Sequence, residues 1–230
     1  MKTFRKIGMA LFAVLVCVNF SSCTKDEALD GNEDFSNEKK LVKIVGMDDK
    51  GEKMEVFTYR YDDKGRLIES TGSIDYGQEP LTTQYVWGDN VIMNDDDYTV
   101  ALENGRIKSN SDNETFTYNS SNRITKGVGG HHTVTITWDG DKIVSMSSYM
   151  GSNLRFTYGK TCKKGYCPLI PYLMFPYDDL SMAHPELFGA RSKQLPTMVD
   201  DTSLTYEFDN EGYITKIYLN QSRPMVLTWE

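Results

Sequence analysis

The sequence contains few of the residues that build metal and redox sites. Its 230 residues include three histidines and four cysteines, while aromatic residues make up 12%. A zinc enzyme needs a cluster of histidine, cysteine and carboxylate ligands, and disordered chains contain few aromatic residues. The composition therefore excludes both classes, and no motif indicates a cofactor.

A run of basic residues is also missing. Lysine and arginine total 25 against 33 acidic residues, and the formal net charge is −8. Binding to nucleic acid depends on several basic side chains that together neutralise neighbouring phosphates. We therefore exclude nucleic acid as a partner.

The uncharged run near the N-terminus is too short for a membrane-spanning helix. Lys2, Arg5 and Lys6 precede residues 7–18, twelve positions without charge. A spanning helix needs about 20 apolar residues, whereas a short apolar run behind a positive segment is typical of a secretory signal peptide. We predict that residues 1–22 are a signal peptide, with a permanent transmembrane anchor as the weaker alternative.

The next residues resemble the processing site of bacterial lipoproteins. In Phe20-Ser21-Ser22-Cys23, small residues precede a cysteine as in a lipobox, with Phe20 in place of the usual leucine. The resemblance implies that Cys23 is acylated and becomes the mature N-terminus. Because two or three acyl chains attach a protein to a bilayer almost permanently, the lipid membrane is an expected partner through Cys23, and the outer membrane is the expected location.

A polar segment separates the lipidated cysteine from the folded part of the chain. Lys25, Asp26 and Glu27 resemble the lysine-then-acidic tag that directs lipoproteins of the Bacteroidota type to the cell surface. The alternative is that residues 23–38 form only a solvated, flexible tether, and both can be true. We expect a lipid-anchored, surface-exposed protein with a single β domain at residues 39–230.

Two cysteines remain once the signal peptide is removed and Cys23 is acylated. Cys162 and Cys167 would then face an oxidising compartment, and Gly165 supplies a turn between them. We predict a local disulfide between Cys162 and Cys167. A metal or redox pair is the alternative, but further ligands are missing nearby, as is the two-residue spacing of thioredoxin-like motifs.

A short phrase of sequence recurs along the chain. The end of one apolar strand is followed by aspartate, asparagine or glycine, and then by an aliphatic residue that opens the next strand. Because Asp, Asn and Gly supply left-handed turn conformations, each copy predicts a hairpin. The copies are residues 59–68, 101–107, 117–124, 137–143 and 207–214, with a shorter echo at 87–91.

Between the turns, apolar and polar residues alternate with a period of two. Phe57, Tyr59 and Tyr61 share one face, and Thr58 and Arg60 share the other. About fifteen such strands are indicated, and sheets of more than about ten strands curl or split. We predict a mainly β fold, an antiparallel meander of hairpins curled into a half-open barrel with one wetted face. The same parity assigns the following residues to the buried face: Tyr85, Trp87, Phe116, Tyr118, Val134, Ile136, Trp138, Leu154, Phe156, Tyr158, Leu204, Tyr206, Phe208, Leu227 and Trp229.

Residues 160–202 interrupt the meander. Several prolines exclude a long regular element there, and the first half contains the most apolar run of the mature chain. We predict a partly helical plug against the aromatic face, with a short helix near residues 179–187 that Pro185 limits. The alternative is an exposed loop that binds a partner or dips into a membrane.

The phrase Tyr-Asp-x-x-Gly-Arg-Leu, residues 61–67, resembles the YD repeats of RHS-type proteins. A closer likeness lies in residues 188–196, Phe-Gly-Ala-Arg-Ser-Lys-Gln-Leu-Pro, and in residues 204–217. These stretches resemble an uncharacterised lipoprotein family of the Bacteroidota type with a porin-like fold, over about residues 40–230. The resemblance implies a curled β-barrel of unknown function and brings no catalytic residues.

The likeness to porins does not predict a working pore. Membrane-spanning strands need about 9 to 11 residues and a continuous lipid-facing apolar side. The strands indicated by the sequence are shorter, roughly six to eight residues each. A lipid anchor would also be redundant on a barrel that is already embedded in the membrane.

Candidate catalytic residues are few. Ser181, His184 and Asp179 could form a nucleophilic set, but the Gly-x-Ser-x-Gly turn is missing and closeness in sequence is not triad geometry. No catalytic residue or metal ligand is therefore assigned. We expect a non-enzymatic binding protein of the envelope or cell surface, with a glycan or an envelope protein as ligand. The alternative is an envelope polysaccharide hydrolase whose carboxylate pair the sequence does not locate.

Overall fold

The structure is a computed structural model that describes residues 38–230, apart from residues 74–78, 130–132, 148–152 and 176–177. The predicted signal peptide, the acylated Cys23 and the Lys25-Asp26-Glu27 tag lie outside the described residues and stay predictions. No helix in the described ranges is long and apolar enough to cross a membrane.

The strands follow one another as antiparallel hairpins, and each pairs with its neighbours in sequence. They are β1 (Leu41–Met47), β2 (Lys53–Tyr61), β3 (Leu67–Ser73), β4 (Leu81–Trp87), β5 (Val91–Asn94), β6 (Thr99–Glu103), β7 (Arg106–Asn110), β8 (Thr115–Tyr118), β9 (Ile124–Val128), β10 (Thr133–Asp139), β11 (Lys142–Ser147), β12 (Asn153–Thr161), β13 (Gln194–Val199), β14 (Thr202–Phe208), β15 (Ile214–Leu219) and β16 (Ser222–Trp229). The hairpin repeat predicted from the sequence is therefore the organising unit of the fold.

The sheet closes into a barrel. β1 and β16 pair in antiparallel register, with Ile44 opposite Leu227. Lys40 and Glu230 extend this pairing through two backbone hydrogen bonds of 2.6 and 3.0 Å. The predicted curled antiparallel barrel is confirmed, but it is closed rather than half-open. Closure pairs the N–H and C=O groups of the two terminal strands, which an open sheet would leave unpaired.

Side chains alternate between the bore of the barrel and its outer wall. In β10, Val134 and Ile136 are buried while Thr133 and Thr135 are exposed. The residues predicted for the buried face belong to one hydrophobic core inside the barrel, and Phe208 is the exception. The wetted face predicted from the sequence is the outer wall.

An aromatic residue near the end of an incoming strand bonds to the backbone of the strand before it. Trp87 Nε1 donates to the carbonyl of Leu67 at 2.7 Å, and Trp138 Nε1 donates to the carbonyl of Ile124 at 2.6 Å. The ring packs in the bore while its polar atom satisfies a backbone group. The other pairs are Tyr61 with Leu41, Tyr118 with Ile107, Tyr158 with Ile143, Tyr206 with Pro196 and Trp229 with Ile214.

The turns of the repeated phrase share one geometry. Asp62 Oδ1 accepts two backbone N–H groups of its own turn, and Gly65 has a φ of +74°. Asn119 and Asp209 accept in the same way in two further copies. The predicted left-handed turn conformations are confirmed. These turns lie at the same end of the barrel as residues 38–40, which we call the tether end; the opposite end is the far end.

Residues 162–193 fill the bore and are called the plug. They contain α1 (Leu169–Met174), α2 (Asp179–Ala183) and a 3-10 helix (Pro185–Phe188). The predicted plug is confirmed with narrower bounds, because β12 and β13 extend into the predicted range of 160–202. Its apolar side chains share one core with the barrel strands: Leu169, Ile170, Met174, Leu180, Met182, Ala183, Leu187, Phe188 and Ala190.

Cys162 and Cys167 at the start of the plug are free thiols, and both are buried. The sulfur of Cys162 lies 3.8 Å from the carbonyl oxygen of Gly165, and the thiol of Cys167 bonds with the hydroxyl of Tyr206. Each sulfur thus packs against its own partner, and the predicted disulfide is not formed in the structure. Burial raises the pKa of Cys162 to about 12 and that of Cys167 to about 11.

Candidate functional site

A surface pocket of about 440 Å³ lies at the tether end of the barrel. It sits between the end of β12 and the turn that joins β14 to β15. One aromatic ring lines it together with several charged and amide side chains, which offer hydrogen bonds to a polar ligand. The lining residues are Lys160, Thr161, Lys163, Phe208, Asp209, Asn210, Glu211 and Gly212.

Phe208 is the exposed aromatic residue of this pocket, with 40% of its surface accessible. The alternation of apolar and polar residues along β14 predicted that the Phe208 ring is buried. That prediction is wrong, because the ring is exposed. The register of β14 against β15 shifts between Glu207 and Phe208, and such a bulge redirects the side chains that follow it. Tyr206, two residues earlier, supplies the inward aromatic ring, and its hydroxyl donates to the carbonyl of Pro196.

The two carboxylates of the pocket are engaged within the fold. Asp209 Oδ1 accepts the backbone N–H groups of Glu211, Gly212 and Tyr213 in its turn. Glu211 Oε1 pairs with Lys39 Nζ at 2.6 Å. Glycoside hydrolysis needs one carboxyl as a proton donor and a second as nucleophile or base. Both carboxylates of the pocket are therefore already bonded within the fold.

The segment that enters the domain runs along the edge of this pocket. Glu38 Oε2 accepts the backbone N–H of Gly165 at 3.0 Å and pairs with Arg191 at 3.0 Å, and both charged side chains are 7% exposed. The backbone N–H of Lys39 donates to the hydroxyl of Tyr213 at 2.9 Å. The residues that lead toward the predicted lipid anchor are thus bound both to the plug and to the pocket rim.

His184 joins the plug to the barrel wall. Its Nε2 accepts the backbone N–H of Leu67 at 3.0 Å, and its Nδ1 lies 2.7 Å from Glu186 Oε1. The ring packs edge-on against Trp87. Burial would raise the pKa of Glu186, but His184 and Arg191 outweigh that effect and lower the pKa to about 2. The charges of the plug are therefore paired at the tether end.

Ser181, His184 and Asp179 do not form a nucleophilic set. Ser181 Oγ donates to the backbone carbonyl of Asp178 at 2.8 Å, and Asp179 Oδ2 accepts from Ser70 at 2.6 Å. Both ring nitrogens of His184 are bonded elsewhere. These three side chains are therefore not arranged as a nucleophile, base and acid in the structure.

A narrow crevice lies inside the barrel, between the plug and the wall formed by β1, β2 and β16. Its free volume of about 10 Å³ is room for one water-sized group. Tyr59 is 5% exposed, and its hydroxyl has no hydrogen-bond partner within the described part of the chain. The lining residues are Ile44, Glu55, Phe57, Tyr59, Tyr172, Asp179, Met182 and Met225.

Glu55 and Asp179 line this crevice, and Asp178 directly precedes Asp179 in the chain. Burial, reinforced by the neighbouring Asp179, raises the pKa of Asp178 to about 7. Burial also raises the pKa of Asp179 and that of Glu55. The sequence analysis missed this group because Glu55 is far from Asp178 and Asp179 in the chain. One signal was present: Glu55 has the parity of Phe57 and Tyr59, which places a carboxyl on the apolar face of β2.

The barrel and its plug resemble solved structures. A porin-like protein from Bacteroides uniformis matches with a TM-score of 0.61 and 18% sequence identity, over 84% of this chain and 98% of that one. The chain has the same fold. A porin-like protein from Bacteroides vulgatus gives a TM-score of 0.49 and 12% identity, over 84% of this chain and 99% of that one. No protein-family model matches the sequence, and no curated protein matches it.

The comparison confirms the porin-like fold that the sequence resemblance implied. It does not test the lipoprotein and YD-repeat parts of that resemblance, which stay predictions. At 18% identity the likeness concerns the fold alone. The role of this chain has to be argued from its own residues.

Proposed function

We propose that this chain is a non-enzymatic, lipid-anchored binding protein of the outer membrane, exposed to water at the envelope surface, and that its tether-end pocket binds a glycan. The observation that carries the proposal is the exposed ring of Phe208 in a pocket of about 440 Å³. The chemistry of the pocket supports the ligand class, and the predicted anchor supports the location at the membrane.

The pocket chemistry favours a sugar over an apolar ligand. A sugar ring offers one apolar face and many hydroxyl groups. Phe208 offers a flat apolar surface, and Lys160, Lys163 and Asn210 place donors and acceptors around it. A site of this kind orients its ligand through a few polar groups while an aromatic ring supplies contact area.

The outer wall of the barrel supports a role in water. Arg60 pairs with Glu69 at 2.9 Å and Lys216 pairs with Glu207 at 2.9 Å, all on outward positions of the strands. A lipid-facing wall would need a continuous apolar band, and charged side chains on it would be costly. Because the plug fills the bore, the interior supports a binding role better than conduction.

The predicted anchor places the pocket near the membrane. A tether over residues 23–38 spans about 55 Å when fully extended and roughly 20 Å as a flexible coil. Since residues 38 and 39 are bound at the pocket rim, the tether end faces the bilayer to which Cys23 would attach. An envelope or surface polysaccharide close to the membrane is therefore the proposed ligand class.

The test is retention on a panel of bacterial envelope polysaccharides, with the full chain purified in detergent. Phe208→Ala should reduce binding roughly tenfold, because a stacked aromatic contact is lost. Met198→Ala is the matched control, since Met198 is also 40% exposed but lies outside the pocket. Equal binding by both variants, or no retention on any polysaccharide, would overturn the proposal. Released reducing ends in the same panel would instead favour the alternative, an envelope hydrolase.

A further inference from the structure

The carboxyl groups in and beside the internal crevice have no positively charged partner within the described part of the chain. Glu55, Asp178 and Asp179 make no ion pair within the described ranges of the chain. By contrast, Glu38 and Glu186 at the tether end lie within ion-pair distance of arginine, lysine or histidine. Glu55 bonds with Tyr172, Asp179 accepts from Ser70, and the Asp178 carboxylate accepts backbone N–H groups at the start of α2. These donors are neutral, so no cation of the described chain compensates a charge on these partly buried carboxyl groups.

The hydroxyl of Tyr59 provides an independent sign that the crevice is built for a ligand. A phenol that is buried without a hydrogen-bond partner costs free energy, and buried polar groups are rarely left that way. The Tyr59 side chain lines the crevice together with Asp179. A cationic donor group that entered the crevice would give this hydroxyl a partner and would also bring positive charge to the Asp179 carboxylate.

The walls of the crevice determine which cation fits. Phe57, Met182, Met225 and Ile44 contribute apolar surface, and aromatic faces attract organic cations. No group of three or more histidine, cysteine, aspartate or glutamate side chains in the described ranges is arranged to hold a metal ion. The crevice therefore suits a cation with an apolar stem.

We propose that the crevice binds the ammonium group of a primary alkylamine, such as the side chain of lysine in a peptide. An ammonium group has three N–H donors, which can bond the carboxylate of Asp179 and the hydroxyl oxygen of Tyr59. The free volume admits the ammonium head alone, so the alkyl stem has to lead outward. In β2, Glu55 is closer than Tyr59 to the far end of the barrel and is partly exposed, whereas Tyr59 is buried, so the stem leaves on the side of Glu55.

This site is separate from the glycan pocket. The pocket opens at the tether end and is lined by β12, β14 and the turn after β14, whereas the crevice lies inside the barrel toward the far end. Failure of the glycan proposal would leave the amine proposal standing, and the reverse is also true.

The experiment measures binding of n-butylammonium to the full chain in detergent by calorimetry at pH 8, with 1-butanol and tetramethylammonium as comparison ligands. We expect n-butylammonium to bind at least tenfold more tightly than either, because only it carries both the charge and the N–H donors. Asp179→Asn should weaken binding roughly tenfold or more, and Tyr59→Phe about fivefold. Glu69→Gln, a change on the outer wall, should leave binding unchanged.

Tyr59→Phe also separates a binding role from a structural one. Because the hydroxyl has no partner in the described part of the chain, its removal should leave the melting temperature without amine unchanged or raise it. The proposal is overturned if 1-butanol binds as well as n-butylammonium, if Glu69→Gln weakens binding as much as Asp179→Asn, or if Tyr59→Phe binds like the unmodified chain. The comparison of amine binding between Tyr59→Phe and the unmodified chain still tests the proposal if Asp179→Asn fails to fold.

Discussion

The backbone N–H of Leu67 donates to Nε2 of His184, 117 positions away in sequence, at 3.0 Å. Leu67 opens β3 and is fully buried, and its carbonyl accepts from the indole of Trp87. Leu67 thus connects β3, the strand in which it lies, both to the plug through His184 and to the next strand, β4, through Trp87. The repeated aromatic phrase and the single plug meet at this point of the fold.

Replacing His184 should loosen the plug. His184→Ala would leave the N–H of Leu67 and the carboxylate of Glu186 without their buried partner and would open a cavity beside Trp87. We expect a loss of about 3 kcal/mol in the free energy of unfolding, measured by urea denaturation. Thr137→Ala on the exposed wall is the control and should change stability by less than about 0.5 kcal/mol. A loss of similar size in both variants would contradict this role of His184.

The sequence predicts the parts of the fold that depend on local pattern. The alternation of apolar and polar residues, together with the turn residues, predicts the hairpins, the aromatic side chains that point into the bore and turns like that of Asp62. Each of these features depends only on a few neighbouring residues. Closure of the barrel was not predicted, since it depends on pairing between Leu41 and Trp229, at opposite ends of the domain. The acidic crevice was missed for the same reason, and Phe208 was misplaced because parity does not reveal a bulge.

Introducing a charged side chain into the plug tests whether this segment packs in the bore or is an exposed binding loop. Phe175 follows α1 and lies 4.7 Å from Phe188 and 5.8 Å from Phe116, measured between ring centroids. Phe175→Asp should cost about 3 to 5 kcal/mol, because it removes these contacts and buries a carboxylate. Leu81→Asp is the control, since Leu81 is 70% exposed. An unchanged melting temperature for Phe175→Asp, measured by circular dichroism, would favour the exposed-loop alternative.

The two cysteines of the plug are expected to titrate as free thiols. Burial raises the pKa of both, so little thiolate forms at neutral pH and alkylation of the folded chain should be slow. In denaturant without reductant, Cys162 and Cys167 should both react with Ellman's reagent. The double variant Cys162→Ser with Cys167→Ser supplies the blank. If the unmodified chain gives no more signal than this blank, the cysteines are oxidised and the disulfide predicted from the sequence exists.

The predicted anchor can be tested by fractionation and surface proteolysis. An epitope-tagged chain should sediment with membranes, whereas Cys23→Ala should lose most of that association because no acyl chains are attached. Protease added to intact cells should remove the tag if the Lys25-Asp26-Glu27 segment directs the protein to the surface. A protected but membrane-bound chain would contradict surface exposure and would direct the search for ligands to the periplasm. Unchanged sedimentation of Cys23→Ala would contradict the lipid anchor itself.

Stability should fall as pH rises from about 4 to 7, because of Asp178. Its pKa is raised from 3.8 to about 7 in the folded chain, so between these values the unfolded chain is charged at this position while the folded chain still holds the proton. Folding then binds a proton, and each further pH unit in this window costs up to about 1.4 kcal/mol. Glu186 acts in the opposite sense: its pKa is lowered from 4.5 to about 2, so its contribution is lost as pH falls through that range.

The variant Asp178→Asn isolates the first of these two effects. Asn can still accept the backbone N–H groups at the start of α2, as Asp178 does, so the helix start is kept while the titrating group is removed. We expect the variant to match the unmodified chain near pH 4 and to be more stable near pH 8, measured by thermal unfolding across the range. Asp139→Asn, on an exposed position of β10, should show no such difference. If the difference in melting temperature between the variant and the unmodified chain does not widen with pH, Asp178 is charged in both the folded and the unfolded chain. Glu55, Asp178 and Asp179 would then need a positively charged partner already at acidic pH.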